Sequence, residues 1–106
     1  MKTLYLLRHA KSSWKDADLA DFDRPLNERG RRAAPFMGRL MKERGFDIEL
    51  IVSSPAKRAR KTANLFLETS GFETAVLQDP RIYEASPNTL MYVAAETDDR
   101  FTSVML

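Results

Sequence analysis

Thr3-Leu4-Tyr5-Leu6-Leu7-Arg8-His9-Ala10 is the stretch on which the fold turns. From Thr3 to Leu7 it is a continuous apolar run, without polar alternation, which suits a strand covered on both faces as in a parallel sheet. The run stops on an arginine and on the chain's single histidine. A cation that can hold a phosphoryl group therefore stands beside an imidazole that can act as a nucleophile, where the strand ends. A lone histidine is more often structural than catalytic. The place of His9 at a sheet's carboxyl edge, between an arginine and a long loop, favours function.

Beyond this stretch, Lys11 to Pro25 is polar, carries Asp16, Asp18, Asp21 and Asp23, and lacks helical periodicity. Loops of that length are uncommon unless functional. Asn27 is a good N-cap with Glu28 in the first turn, and Phe36, Leu40 and Met41 recur at helical spacing, so a helix is expected to about Arg44 with Gly45 as its stop. Pro35 falls inside it and is expected to kink or restart it.

Ile48 to Val52 is a second apolar, partly β-branched run, followed by Ser53-Ser54-Pro55. Ser54 as cap and Pro55 at the first helical position predict a helix that Gly71 ends. Ala59, Ala63, Phe66 and Leu67 share its inward face, while Arg60, Lys61 and Glu68 point elsewhere. A short strand near Thr74 to Leu77, a loop from Asp79 to Pro87, a helix from about Asn88 to Glu96 and a strand from Phe101 to Leu106 follow. This alternation predicts a three-layer α/β/α fold around a mostly parallel sheet.

The chain has 106 residues, which is the size of one domain, and 43 % apolar with 30 % charged residues is a globular balance. It contains no cysteine, which excludes disulfides, zinc–thiolate sites and thiol nucleophiles; a single histidine excludes a multi-histidine metal site. The apolar stretch Leu4 to Leu7 is too short for a signal segment or a membrane span, so a cytoplasmic location is expected. A formal charge of +2 does not point to nucleic acid. The basic runs, Arg29-Gly30-Arg31-Arg32 and Lys57-Arg58-Ala59-Arg60-Lys61, are local, and Lys57, Arg60 and Lys61 read as a solvated helix face.

In open α/β sheets ligands bind beyond the carboxyl ends of the strands. Arg8-His9 emerges there, and so does Arg58, in the first turn of the helix after the second strand, where backbone amides also face an anion. Two guanidinium forks converging there would grip a phosphoryl group, each charge-assisted hydrogen bond contributing roughly 1.5–3 kcal/mol.

Three segments carry a family resemblance. Leu7-Arg8-His9-Ala10 resembles the Arg-His-Gly signature of the histidine phosphatase superfamily, with Ala10 in place of the commoner glycine. Arg24-Pro25-Leu26-Asn27-Glu28-Arg29-Gly30 is similar to its Arg-Pro-Leu-Thr-x-x-Gly segment. Ser53-Ser54-Pro55-Ala56-Lys57-Arg58-Ala59-Arg60-Lys61-Thr62-Ala63 is similar to its Ser-Ser-Pro-x-x-Arg-Ala-x-x-Thr-Ala segment. The Arg-His-Ala-Lys-Ser-Ser-Trp variant resembles the small SixA-like phosphohistidine phosphatase branch.

The resemblance implies a phosphoglycerate mutase-like fold over a single domain, residues 1–106, and a cytoplasmic phosphatase of signalling proteins that needs no metal or other cofactor. His9 would attack phosphorus and form a phosphohistidine intermediate that water hydrolyses. Arg8 and Arg58 would bind the phosphate, and Glu84 is the candidate acid for the leaving group. The expected partner is a phosphohistidine-bearing protein, with no nucleic acid, no membrane and a monomeric state. The family also places a second histidine just after the strand expected at Phe101 to Leu106, where this sequence stops. The expectation is therefore a domain lacking its C-terminal portion, with catalysis lowered by about 10²–10³ for want of that donor. The alternatives are a small-molecule phosphomonoesterase of the same superfamily or, if the chain is complete as given, a non-catalytic phosphate-binding module.

Overall fold

Along the strands, successive apolar side chains go to opposite faces of one sheet and so feed two separate cores. Leu50, Val52, Val104 and Leu106 pack on one side with Val93 and Ala94; Ile51 and Met105 pack on the other with Ile48, Ala63 and Phe66. The period of two in a strand produces this division. The computed structural model describes residues 2–9 and 11–106; Ala10, where the first motif departs from glycine, lies outside the described residues.

Four parallel strands form the sheet: β1 (Thr3–Tyr5), β2 (Leu50–Ser53), β3 (Val76–Gln78) and β4 (Ser103–Met105), in the order β1-β4-β2-β3. Helices α1 (Glu28–Glu43) and α2 (Lys57–Ser70) cover one face, and α3 (Pro87–Glu96) covers the other. This is the three-layer α/β arrangement expected from the alternating pattern. Hydrogen bonding continues past the strand ends, since the Leu106 N–H donates to Tyr5 O at 2.9 Å and the Leu7 N–H donates to Leu106 O at 2.8 Å. Arg8 and His9 therefore leave the sheet directly from its carboxyl edge. Burial on both faces is not met at β1, which lies at the end of the sheet. Leu6 is 65 % exposed there.

Two local expectations are corrected. Pro35 neither ends nor restarts α1, which runs as one helix through it. An interior proline costs about 3 kcal/mol. Packing on α2 offsets this: Ala34 and Gly38 are buried at the contact, and the Thr69 hydroxyl of α2 donates to Pro35 O at 2.7 Å. A Cβ on Gly38 would collide with Phe66 O and Thr69 Oγ1, so the glycine sets how closely the helices approach. Second, α2 begins at Lys57, two residues later than Ser54 and Pro55 suggested. The Ser54 hydroxyl accepts the Ala56 N–H at 3.1 Å in a tight turn, and Ala56 takes the cap position with no side-chain cap. A short serine turn outcompetes the cap because it satisfies the same hydroxyl locally.

The long loop after β1 is built around one buried arginine. Arg24, 5 % exposed, donates to Asp16 O at 2.9 Å and Leu19 O at 3.1 Å, and its guanidinium stacks 3.8 Å from the centre of the Trp14 ring. The loop is closed where Ser12 pairs with Leu26, and Asn27 caps α1 by accepting the Gly30 N–H at 2.8 Å. Among the described residues, no helix is long and apolar enough to cross a membrane.

Candidate active site

The carboxyl ends of β1, β4 and β2 open into a cavity of about 370 Å³. Arg8 and His9 reach it from β1, Ser54 and Arg58 from the β2–α2 turn, and Tyr83 and Glu84 from the segment before α3. All four residues singled out from the sequence, Arg8, His9, Arg58 and Glu84, thus line one space. Lys57, Arg60 and Lys61 do not line it.

Arg58 is the second residue of α2 and is held in place from the long loop. Its guanidinium donates to Asp21 O and to Asp21 Oδ2, the latter at 2.9 Å, and its side chain is only 12 % exposed. The Tyr83 hydroxyl donates to the same carboxylate oxygen, and the Tyr83 ring meets Phe22 edge-on at 5.3 Å between centres. Asp21, Arg58 and Tyr83 therefore form one knot that ties the loop, α2 and the segment before α3 together. The hydrogen bonds from Tyr83 and then Arg58 hold the Asp21 carboxyl below its ordinary value. The same bond to Asp21 raises the Tyr83 phenol, because ionising it would set two negative oxygens against each other.

Glu84 adopts a left-handed backbone with φ 53°, which is unusual for a residue with a side chain. It follows a single 3₁₀ turn, Pro80–Ile82, that Asp79 caps and that Arg81 anchors by pairing with Asp79 and Glu96. The strained position delivers an exposed carboxyl to the mouth of the cavity. Helix α2 starts without a side-chain cap beside the same cavity; the Ala59 and Arg60 N–H groups donate to Ala56 O at 3.0 Å, and the Lys57 and Arg58 amides before them have no intrahelical acceptor.

Asp21 and Tyr83 did not stand out in the sequence, and Arg24 enters there only as the first residue of the Arg-Pro-Leu segment. Asp21 belonged to an acidic run whose members read alike. Only the fold brings that run to Arg58. Among the described residues, no group of three His, Asp or Glu side chains is placed to hold a metal ion.

Two arginines, an imidazole and a carboxyl in one cavity can bind an oxyanion, attack it and protonate a leaving group. That set, on a parallel α/β sheet, is the equipment of a phosphoryl-handling protein. The chain belongs to the histidine phosphatase superfamily, branch 1, whose profile matches residues 4–102.

It is similar in fold to a protein of Agrobacterium tumefaciens assigned as the phosphohistidine phosphatase SixA. The two share a TM-score of 0.90 and 34 % identity over 100 % of this chain and 68 % of that one. An uncharacterized protein of Mycobacterium tuberculosis is 32 % identical over 94 % of this chain and 60 % of its own length. A 2,3-bisphosphoglycerate-dependent phosphoglycerate mutase of Streptococcus uberis is 43 % identical over 66 % of this chain and 31 % of the mutase. The chain thus spans between about a third and three fifths of the length of the curated relatives it matches.

Proposed function

We propose that this protein is a metal-independent phosphohistidine phosphatase acting on a cytoplasmic signalling protein, with His9 as nucleophile. The observation that carries this reading is the convergence of Arg8, His9, Arg58 and Glu84 on one cavity at the sheet's carboxyl edge. Likeness to the Agrobacterium protein over the whole of this chain supports the phosphohistidine substrate.

A ring nitrogen of neutral His9 attacks phosphorus in line with the leaving group. As the new N–P bond forms, the P–N bond to the substrate imidazole breaks, and Glu84 gives its proton to the departing nitrogen. Arg8 and Arg58 bind the non-bridging oxygens and stabilise the charge that spreads over them, the part of phosphoryl transfer in which a protein contributes most. Water then attacks the phospho-His9 phosphorus as Glu84 takes the water proton, the N–P bond to His9 breaks, and inorganic phosphate leaves with His9 returned to its neutral form. A protonated imidazole departs readily, so Glu84 matters less here than with an alkoxide leaving group.

The test is turnover, in the presence of a chelator, of a phosphohistidine-bearing protein against p-nitrophenyl phosphate. The proposal expects the phosphoprotein to be consumed at the higher kcat/KM. The reverse order favours the second reading, a small-molecule phosphomonoesterase, for which the likeness to the mutase speaks.

A further inference from the structure

A second cavity, of about 440 Å³, lies between the start of α1 and the outer face of α2. Arg31, Lys57, Arg60, Lys61 and Asn64 line it, together with Pro25 and Leu26. The α2 residues fall at the spacing i, i+3, i+4 and i+7, so they form one stripe on one helix face. No acidic side chain lines the cavity, and among the described residues none of the four cations belongs to an ion pair. Two guanidinium groups are fixed by neutral acceptors instead: Arg31 donates to Leu26 O at 3.0 Å and Arg60 donates to Pro55 O at 2.9 Å. Their positions are set while their charge stays uncompensated. A solvated helix face does not ordinarily curve into a cleft with a second helix that supplies a further cation.

We infer that this cleft is a docking site for an acidic segment of the phosphoprotein substrate, an inference that rests on the phosphatase reading above. Four cations spread over a cleft of this size suit several carboxylates along a chain better than one small anion. No aromatic side chain lines the cleft to stack a base, which disfavours a single-stranded nucleic acid. Position adds to the argument. Lys57 opens the stripe next to Arg58, which faces the first cavity, so a peptide in the cleft holds its parent protein within about one helical turn of the phosphate pocket.

The test uses the double variant Lys57→Glu/Lys61→Glu and two readouts. The first is binding of a fluorescent aspartate–glutamate decapeptide without phosphate, at low and high salt, with a decameric RNA as competitor. The second is steady-state turnover of a phosphohistidine protein and of p-nitrophenyl phosphate. Expected results are salt-sensitive peptide binding that the variant weakens about tenfold or more, KM for the phosphoprotein raised by a similar factor, and p-nitrophenyl phosphate turnover unchanged. Absence of peptide binding to the unaltered protein, or equal KM in the variant, overturns the docking site. RNA binding tighter than the peptide overturns it in favour of a nucleic-acid surface. Intact peptide binding with no turnover of any phosphohistidine protein counts against the phosphatase reading and leaves the acid-binding cleft standing.

Discussion

In the function proposed above Arg58 binds the phosphate, and the fold has already given it an anionic partner in Asp21. Its bonds to Asp21 orient the guanidinium and would compete with a bound phosphate for it. Arg58→Ala is expected to weaken vanadate or phosphate binding by about 2–3 kcal/mol, whereas Arg60→Ala, outside that cavity, leaves it nearly unchanged; isothermal titration compares the two. Asp21→Asn keeps the backbone acceptor but removes a negative charge beside the pocket, so phosphate is expected to bind several-fold more tightly. The pH dependence follows from the same contact. A carboxyl held below its ordinary value in the folded state stabilises the fold above the unfolded value of 3.8, and that contribution is lost as pH falls through the folded value. Glu49, Asp79 and Glu96 shift in the same direction, each through hydrogen bonds from its neighbours. Thermal unfolding midpoints are therefore expected to decline as pH drops below about 4, with a shallower decline in Asp21→Asn. Midpoints that rise on acidification would contradict this.

Two elements depend on single residues for their packing. The first is the α1–α2 pair, where Gly38 lets the helices approach until Thr69 reaches Pro35 O. Gly38→Ala must push backbone apart at this contact and is expected to cost about 1–3 kcal/mol in a denaturant titration, against the usual gain from replacing a helical glycine. The second is the loop that carries Asp21 to Arg58, which Arg24 holds from within. Arg24→Ala removes the donor that several loop carbonyls share, and hydrogen exchange is expected to rise across residues 13–19 well before the sheet opens. How much of this was legible follows from range. The caps at Asn27 and Gly71 and the order of elements are local patterns of apolar spacing and turn chemistry, and they are where the sequence placed them; the first strand begins at Thr3 as expected but ends at Tyr5 and not at Leu7. A restart at Pro35 does not occur, because the cost of the proline is offset by a residue 34 positions away. The Ser54 cap was misjudged because a serine turn and a helix cap use the same hydroxyl.

At the scale of the whole molecule, a parallel sheet with helices on both faces brings residues distant in sequence to one edge, and the site is the product of that arrangement. Arg8, His9 and Arg58 were legible because each follows a recognisable strand. The roles of Asp21 and Tyr83 were not, since they depend on two loops meeting across α2. The basic stripe of α2 is solvent-exposed, as its sequence suggests, and it also borders an open cleft that Arg31 of α1 completes, which a local charge pattern does not reveal. The central claim is that His9 carries the phosphoryl group. It is tested most directly by incubating the protein with a ³²P-labelled phosphohistidine protein, quenching without acid, and locating the label by peptide mapping. Label is expected on the peptide containing His9, and it is lost together with turnover in His9→Ala. Turnover that survives in His9→Ala, with no label on that peptide, would contradict it.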